Sequence, residues 1–149
     1  MASKNQERAK AVWRGGLAFE GITEAGQPVP MDSPAAPGGP SGPSPMELLL
    51  ISLAGCTAMD VVSILRKKRQ DVTGLEINIV GDRADEHPKR YTDIKLEFVI
   101  RGRDVDPGAV ARAIELSEDK YCSISAGLRP KATIVSRFRI ENEPALAQE

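Results

Sequence analysis

The sequence predicts an α+β protein built from antiparallel sheet and two helices, and three observations carry that reading. Asp71–Gly81 and Tyr91–Gly102 alternate with the two-residue period of a strand. Ser44–Gln70 and the segment from Asp106 to about Tyr121 each open on a capping residue followed by proline, Ser44-Pro45 and Asp106-Pro107. Strand patterns flank this set, giving the order β(β)–α–β–β–α–β.

A chain of 149 residues reads as a single domain, 1–149, with an ordered core over about 12–140. A formal net charge of -1 argues against a general nucleic-acid surface. The polar start MASKNQERAK has no apolar stretch after it, and the uncharged run Leu48–Met59 is 12 residues, short of a bilayer span. The expectation is a cytoplasmic protein with no membrane partner, whose two cysteines are structural or reactive thiols rather than a disulfide framework.

In order, residues 1–10 read as frayed, and Val12–Glu20 as a strand whose paired glycines, Gly15–Gly16, suggest a bulge. Ile22 and Val29 give residues 21–30 a weak hairpin pattern. Gln27–Pro45 holds 7 of the 11 prolines and reads as an ordered loop delivering the chain to Ser44. In the first helix Glu47 stands three residues past Ser44, completing a capping box, and RKKRQ at 66–70 is a solvated basic end. Its sides are apolar nearly all round, which predicts burial on more than one face.

The next two strands turn Leu75, Ile77 and Ile79, then Ile94, Leu96, Phe98 and Ile100, inward. Lys95, Glu97, Val99 and Arg101 turn outward. Val110, Ala113, Ile114 and Leu116–Ser117 form the stripe of the second helix. Cys122–Gly127 is a turn or short helix, Lys131–Ile140 is the last strand, and the tail from Glu141 is loose.

The chemistry available is that of thiols. Cys56 lies about three turns into the first helix, with Ser52, Met59 and Asp60 on its face, and a charged Asp60 there would oppose a thiolate. Glu47, nine residues earlier, stands on the opposite side of the rod and ~13 Å away along it, so it can serve Cys56 only from a second copy of the helix. Cys122 is either a thiol near free amides between Lys120 and Arg129, which would lower its pKa, or a buried cysteine in a tight turn. His87 reads as a solvated loop residue. Two cysteines and one histidine without short spacing make no structural zinc pattern, and no dinucleotide fingerprint or P-loop is present, so no cofactor and no metal are expected.

GPSPMELLLISLAGCTAMDVVSILRKKRQDVTGLEI, with VARAIELSEDKYCSI further on, resembles the OsmC/Ohr family over about residues 12–140. The P-x-E-L-L…GC and S-x-x-K-Y-C segments carry the likeness. The resemblance implies an OsmC-like fold: antiparallel sheets around two long central helices in an intertwined homodimer. It implies a thiol-dependent peroxidase of oxidative-stress defence, reducing organic hydroperoxides above all. In that role Cys56 attacks the peroxide, Cys122 resolves it as a Cys56–Cys122 disulfide, Glu47 comes from the other subunit, and a dithiol or lipoyl-protein is the reductant. Family peroxidases also carry an arginine in the loop before the glutamate, and residues 21–46 contain none, which leaves Arg14 or Arg129 to supply the charge. The alternative reading is an OsmC-like binding protein or stress-related protein with reactive thiols and no peroxide turnover.

Overall fold

The computed structural model describes residues 5–144, which form two compact units parting between Leu49 and Leu50. The first unit holds a three-stranded antiparallel sheet in the order β1 (Ala9–Gly15), β2 (Ala18–Thr23), β3 (Pro28–Met31). Sequence periodicity merged β1 and β2 into one strand. The chain instead reverses at Gly15 and Gly16, whose φ values of 105° and 55° fall in the left-handed region open to glycine. The register slips between Trp13 and Gly15, so the expected bulge is present at the end of a hairpin. Strand β1 also takes in Ala9 and Lys10, part of the segment read as frayed; residues 1–4 of that segment lie outside the described residues.

The proline-rich loop after β3 is organised by Asp32, only 7% exposed. Its carboxylate accepts from the Ser33 amide at 2.7 Å and from the Ser41 amide and hydroxyl, both at 3.0 Å. Those donors, the Ser41 amide first, hold its pKa below the usual carboxylate value. A charged acceptor thus organises the stretch from Asp32 to Ser41, where Pro34, Pro37 and Pro40 interrupt the backbone after the β3 ladder ends. The loop is ordered, as expected.

Helix α1 (Pro45–Lys67) starts in the first unit and runs into the second. Its capping box forms as the sequence predicts: the Glu47 amide donates to Ser44 Oγ at 3.1 Å and the Ser44 amide to Glu47 Oε1 at 3.0 Å. The helix stops at Arg69, whose φ is 56°, while the Gln70 amide reaches back to the Leu65 carbonyl at 3.0 Å. Leu53, Thr57, Val61 and Leu65 are buried, a single stripe with a spacing of four. Burial on several faces was expected; among the described residues only this stripe is fully buried, its flanks are partly covered, and Ile51 and Met59 stand 57% and 75% exposed. At 23 residues, with a mean hydropathy of 2.1 over an 18-residue stretch, α1 is long and apolar enough to cross a membrane, which the 12-residue uncharged run did not suggest. The central helix of a globular protein meets the same criterion.

The second unit carries a mixed sheet ordered β4 (Asp71–Arg83), β5 (Tyr91–Arg103), β6 (Thr133–Asn142), with α2 (Pro107–Leu116) and α3 (Ser123–Leu128) between β5 and β6. Asp106 caps α2, accepting from the Gly108 amide at 3.0 Å. Strands β4 and β5 pair antiparallel, whereas β5 and β6 pair parallel. The parallel ladder departs from the antiparallel sheet expected, because two helices carry the chain back across the sheet before β6 begins. Strand β6 runs on through Glu141 and Asn142, part of the tail read as loose; residues 145–149 lie outside the described residues.

The core centres on Phe98, Ile94 and Ile100 of β5 with Leu53, Val61 and Leu65 of α1, each no more than 1% exposed. Val99, expected to face outward, is fully buried. Ion pairs join Arg101 to Glu76 and Glu141 at 3.0 and 2.9 Å, and Arg139 to Glu97 at 3.8 Å, on residues flanking Val99 in the ladders. Long side chains tied down in this way shield the outer face of a central strand.

Candidate functional site

The two cysteines, 66 residues apart in sequence, are brought side by side by the packing of α1 against the end of α2. Their sulfurs and a carboxylate oxygen of Asp60 all lie within 4.8 Å of one another, and both thiols are free. Cys56 and Asp60, four apart on α1, share a face and are partly buried; Cys122 is 3% exposed.

A change in helical winding places Cys122. After Leu116, helix α2 continues as a π-helical turn, Ser117–Tyr121, and the Cys122 amide donates to the Ser117 carbonyl at 2.8 Å. The wide turn leaves Ser117 fully buried against α1. Ser117 Oγ donates to Asp60 Oδ2 at 2.9 Å and stands 2.9 Å from Thr57 Oγ1. Ser117 has one hydroxyl proton and gives it to Asp60, so Thr57 must donate to Ser117. The result is a directed chain, Thr57 to Ser117 to Asp60, that fixes the carboxylate beside the thiols. Nothing in the sequence reading assigned Thr57 or Ser117 a part. The signal available was a serine within the apolar stripe of α2 and a threonine within that of α1.

Cys122 is also the N-cap of α3, its sulfur accepting from the Ser125 amide at 3.4 Å. That amide and the position between Lys120 and Arg129 suggested a lowered pKa as one of two readings. The structure corrects this: burial dominates and pushes the Cys122 thiol up to about 11, the Ser125 N–H opposes the shift, and Cys56 adds to it. At pH 8 a thiol of that pKa is roughly one part in a thousand thiolate. Iodoacetamide should therefore label Cys122 very slowly at pH 8 and about tenfold faster per pH unit up to its pKa, as read by peptide mass spectrometry.

The two arginines left open as charge donors are engaged elsewhere. Arg14 pairs with Glu20 at 3.3 Å across the β1–β2 hairpin. Arg129 Nε donates to Ser125 Oγ at 3.1 Å and its guanidinium lies 3.9 Å from Glu118. Ser125 in turn donates its amide to Cys122 Sγ, which links Arg129 to the thiol through one residue. Glu47 is exposed, and the Ser44 amide accepted at Oε1 holds its carboxyl below the usual range. His87 stands exposed in the β4–β5 loop. A groove of about 630 Å³ runs along α1 by Ala58, Met59, Val62 and Leu75.

An α+β chain with a long helix carrying one thiol beside a second, buried thiol defines a cysteine-based redox protein. Residues 38–137 match the family model for OsmC-like protein. The chain is 41% identical over 133 residues to Protein YhfA of Escherichia coli K12, covering 89% of this chain and 97% of that one. A crystal structure of a hypothetical protein from Aquifex aeolicus VF5 is 30% identical, with a TM-score of 0.83 over 94% of this chain and 99% of its own. The organic hydroperoxide resistance protein OhrB of Bacillus subtilis is 17% identical with a TM-score of 0.65, over 92% of this chain and all of its own, a likeness of fold. The chain belongs to the OsmC/Ohr family.

Proposed function

We propose that the protein is a cytoplasmic, homodimeric, thiol-dependent peroxidase that reduces organic hydroperoxides through Cys56 and Cys122. The observation that carries this reading is the placement of a partly exposed thiol against a buried one that stays protonated. The Cys56 thiolate attacks one peroxide oxygen; the O–O bond breaks, a sulfenic acid forms on Cys56, and the alkoxide leaves with a proton as the alcohol. Cys122 then attacks Cys56 Sγ. The S–S bond forms, and the sulfenic hydroxyl leaves with the Cys122 proton as water. A dithiol such as a lipoyl group reduces the disulfide by exchange and is itself oxidised. The sulfurs start within 4.8 Å of one another and close to a bond of ~2.05 Å.

Dimerisation is supported by the bare apolar side of α1, where Ile51, Met59 and the groove at Val62 stand open among the described residues. A second copy of α1 would cover it and bring its own Glu47 towards Cys56, a carboxylate that one helix cannot deliver to its own thiol. Glu47 would then serve as the site's acid–base and hydrogen-bonding group through the oxygen its cap does not use. The chain as a whole acts as one OsmC-like domain on this reading.

Treatment with one equivalent of cumene hydroperoxide tests the proposal by intact-mass spectrometry. The expected product is 2 Da lighter, with Cys56 joined to Cys122, and is returned to the dithiol by dihydrolipoamide. Light scattering should give twice the chain mass of 16.1 kDa. Thiols unchanged by peroxide would leave the binding-protein reading in its place.

A further inference from the structure

The geometry points to a thiophilic metal site at Cys56, Asp60 and Cys122, taking one zinc ion per chain when the thiols are reduced. Two sulfurs and one carboxylate oxygen meet within 4.8 Å, drawn from α1 and from the residue that caps α3. Two thiolates, a carboxylate and an open fourth position form a donor set suited to Zn²⁺. With Zn–S of ~2.3 Å and Zn–O of ~2.0 Å, tetrahedral donors stand roughly 3.5–3.8 Å apart. The cluster therefore needs to close by at most about 1.3 Å, through movement of the partly buried Cys56.

Asp60 is the residue that separates this reading from a simple dithiol. The peroxide chemistry proposed above uses the two thiols and gives Asp60 no part. As a ligand it has a purpose, and its surroundings are those of one. Ligating carboxylates are held by outer hydrogen bonds, and Asp60 Oδ2 is held at 2.9 Å by the fully buried Ser117, itself oriented by Thr57. The Cys122 sulfur is anchored in turn by the Ser125 amide, and Ser125 by Arg129. Two of the three donors are thus fixed by outer hydrogen bonds before an ion arrives.

Metal and disulfide exclude one another, because the S–S bond takes up both sulfurs. The site would bind the ion in the reduced protein and release it as the thiols are oxidised. Metal binding is independent of peroxide turnover, so the two readings fail separately.

Cobalt(II) is the probe, added to the reduced full-length protein. The expected result is a thiolate-to-cobalt charge-transfer band in the near ultraviolet and tetrahedral bands in the visible, saturating at one equivalent. Zinc should displace them, and the disulfide form should lack them. Cys122→Ser should lose the charge-transfer intensity of one sulfur and bind at least ~100-fold more weakly, and Asp60→Ala or Ser117→Ala ~10- to 100-fold more weakly. Should the variants fail to fold, protection of the wild-type Cys56 thiol from a disulfide reagent by one equivalent of zinc, reversed by a chelator, decides the matter, and no protection overturns the site. No charge-transfer band, or one unaltered in Asp60→Ala and in oxidised protein, overturns the site.

Discussion

Cys56→Ser is expected to abolish peroxide-dependent consumption of dihydrolipoamide, a loss on the order of 10³-fold or more, equivalent to about 4 kcal/mol of barrier. No other group in the cluster can take its place. Cys122 is buried and its thiol stands at about 11, while Asp60 and Ser117 are oxygen groups committed to each other. The companion variant, Cys122→Ser, separates the steps: it should still react with one equivalent of peroxide and then stop as the Cys56 sulfenic acid, passing to sulfinic acid with excess oxidant. Steady-state kinetics with trapping by dimedone reads both. A Cys56→Ser protein as active as the parent ends the peroxidase assignment.

The largest effect on stability is expected from Phe98→Ala. Phe98 is fully buried at the middle of β5, opposite Ile77 of β4 on one side and Phe138 of β6 on the other. Removing its ring leaves a cavity where three strands meet, at a cost of ~3–5 kcal/mol. For a chain of this size that corresponds to a fall in Tm of roughly 6–20 °C. Val135→Ala, at a position 56% exposed on β6, should stay within ~0.5 kcal/mol of the parent. Calorimetry on the two variants checks the contrast.

Most of the fold was legible because local chemistry and burial agree. Ser44, Pro45 and Glu47 state where α1 begins, Asp106 and Pro107 state the start of α2, and the alternation from Leu75 to Ile79 survives as burial in β4. The β1–β2 reversal was missed because Leu17 and Phe19 keep the strand period through a glycine turn. The parallel ladder was missed because side-chain periodicity reports which face is covered and carries no strand direction. Val99 shows the converse limit, since a valine shielded by ion-paired neighbours reads the same as one in water. At the site, Cys56 and Cys122 were singled out by motif. Their meeting depends on a π-helical turn that adds one residue to a helical period, which the α-helical pattern of α2 does not announce.

The parallel ladder has a consequence for how the site is assembled. Strands β4 and β5 close over a short loop, with Arg83 paired to Tyr91, whereas the first pair of the β5–β6 ladder joins Asp93 to Thr133. Separations of 8 and 40 residues differ by about 1.4 kcal/mol in the entropy of closure. Cys122 lies inside the longer closure, so the segment that carries it is held in place by the later and more distant pairing. A chain with β6 undocked still has its β4–β5 hairpin but lacks the anchoring that sets the second sulfur beside the first. Docking of β6 therefore holds the far end of the segment that carries the second sulfur, and the β5–β6 ladder and the thiol site close over the same stretch of chain.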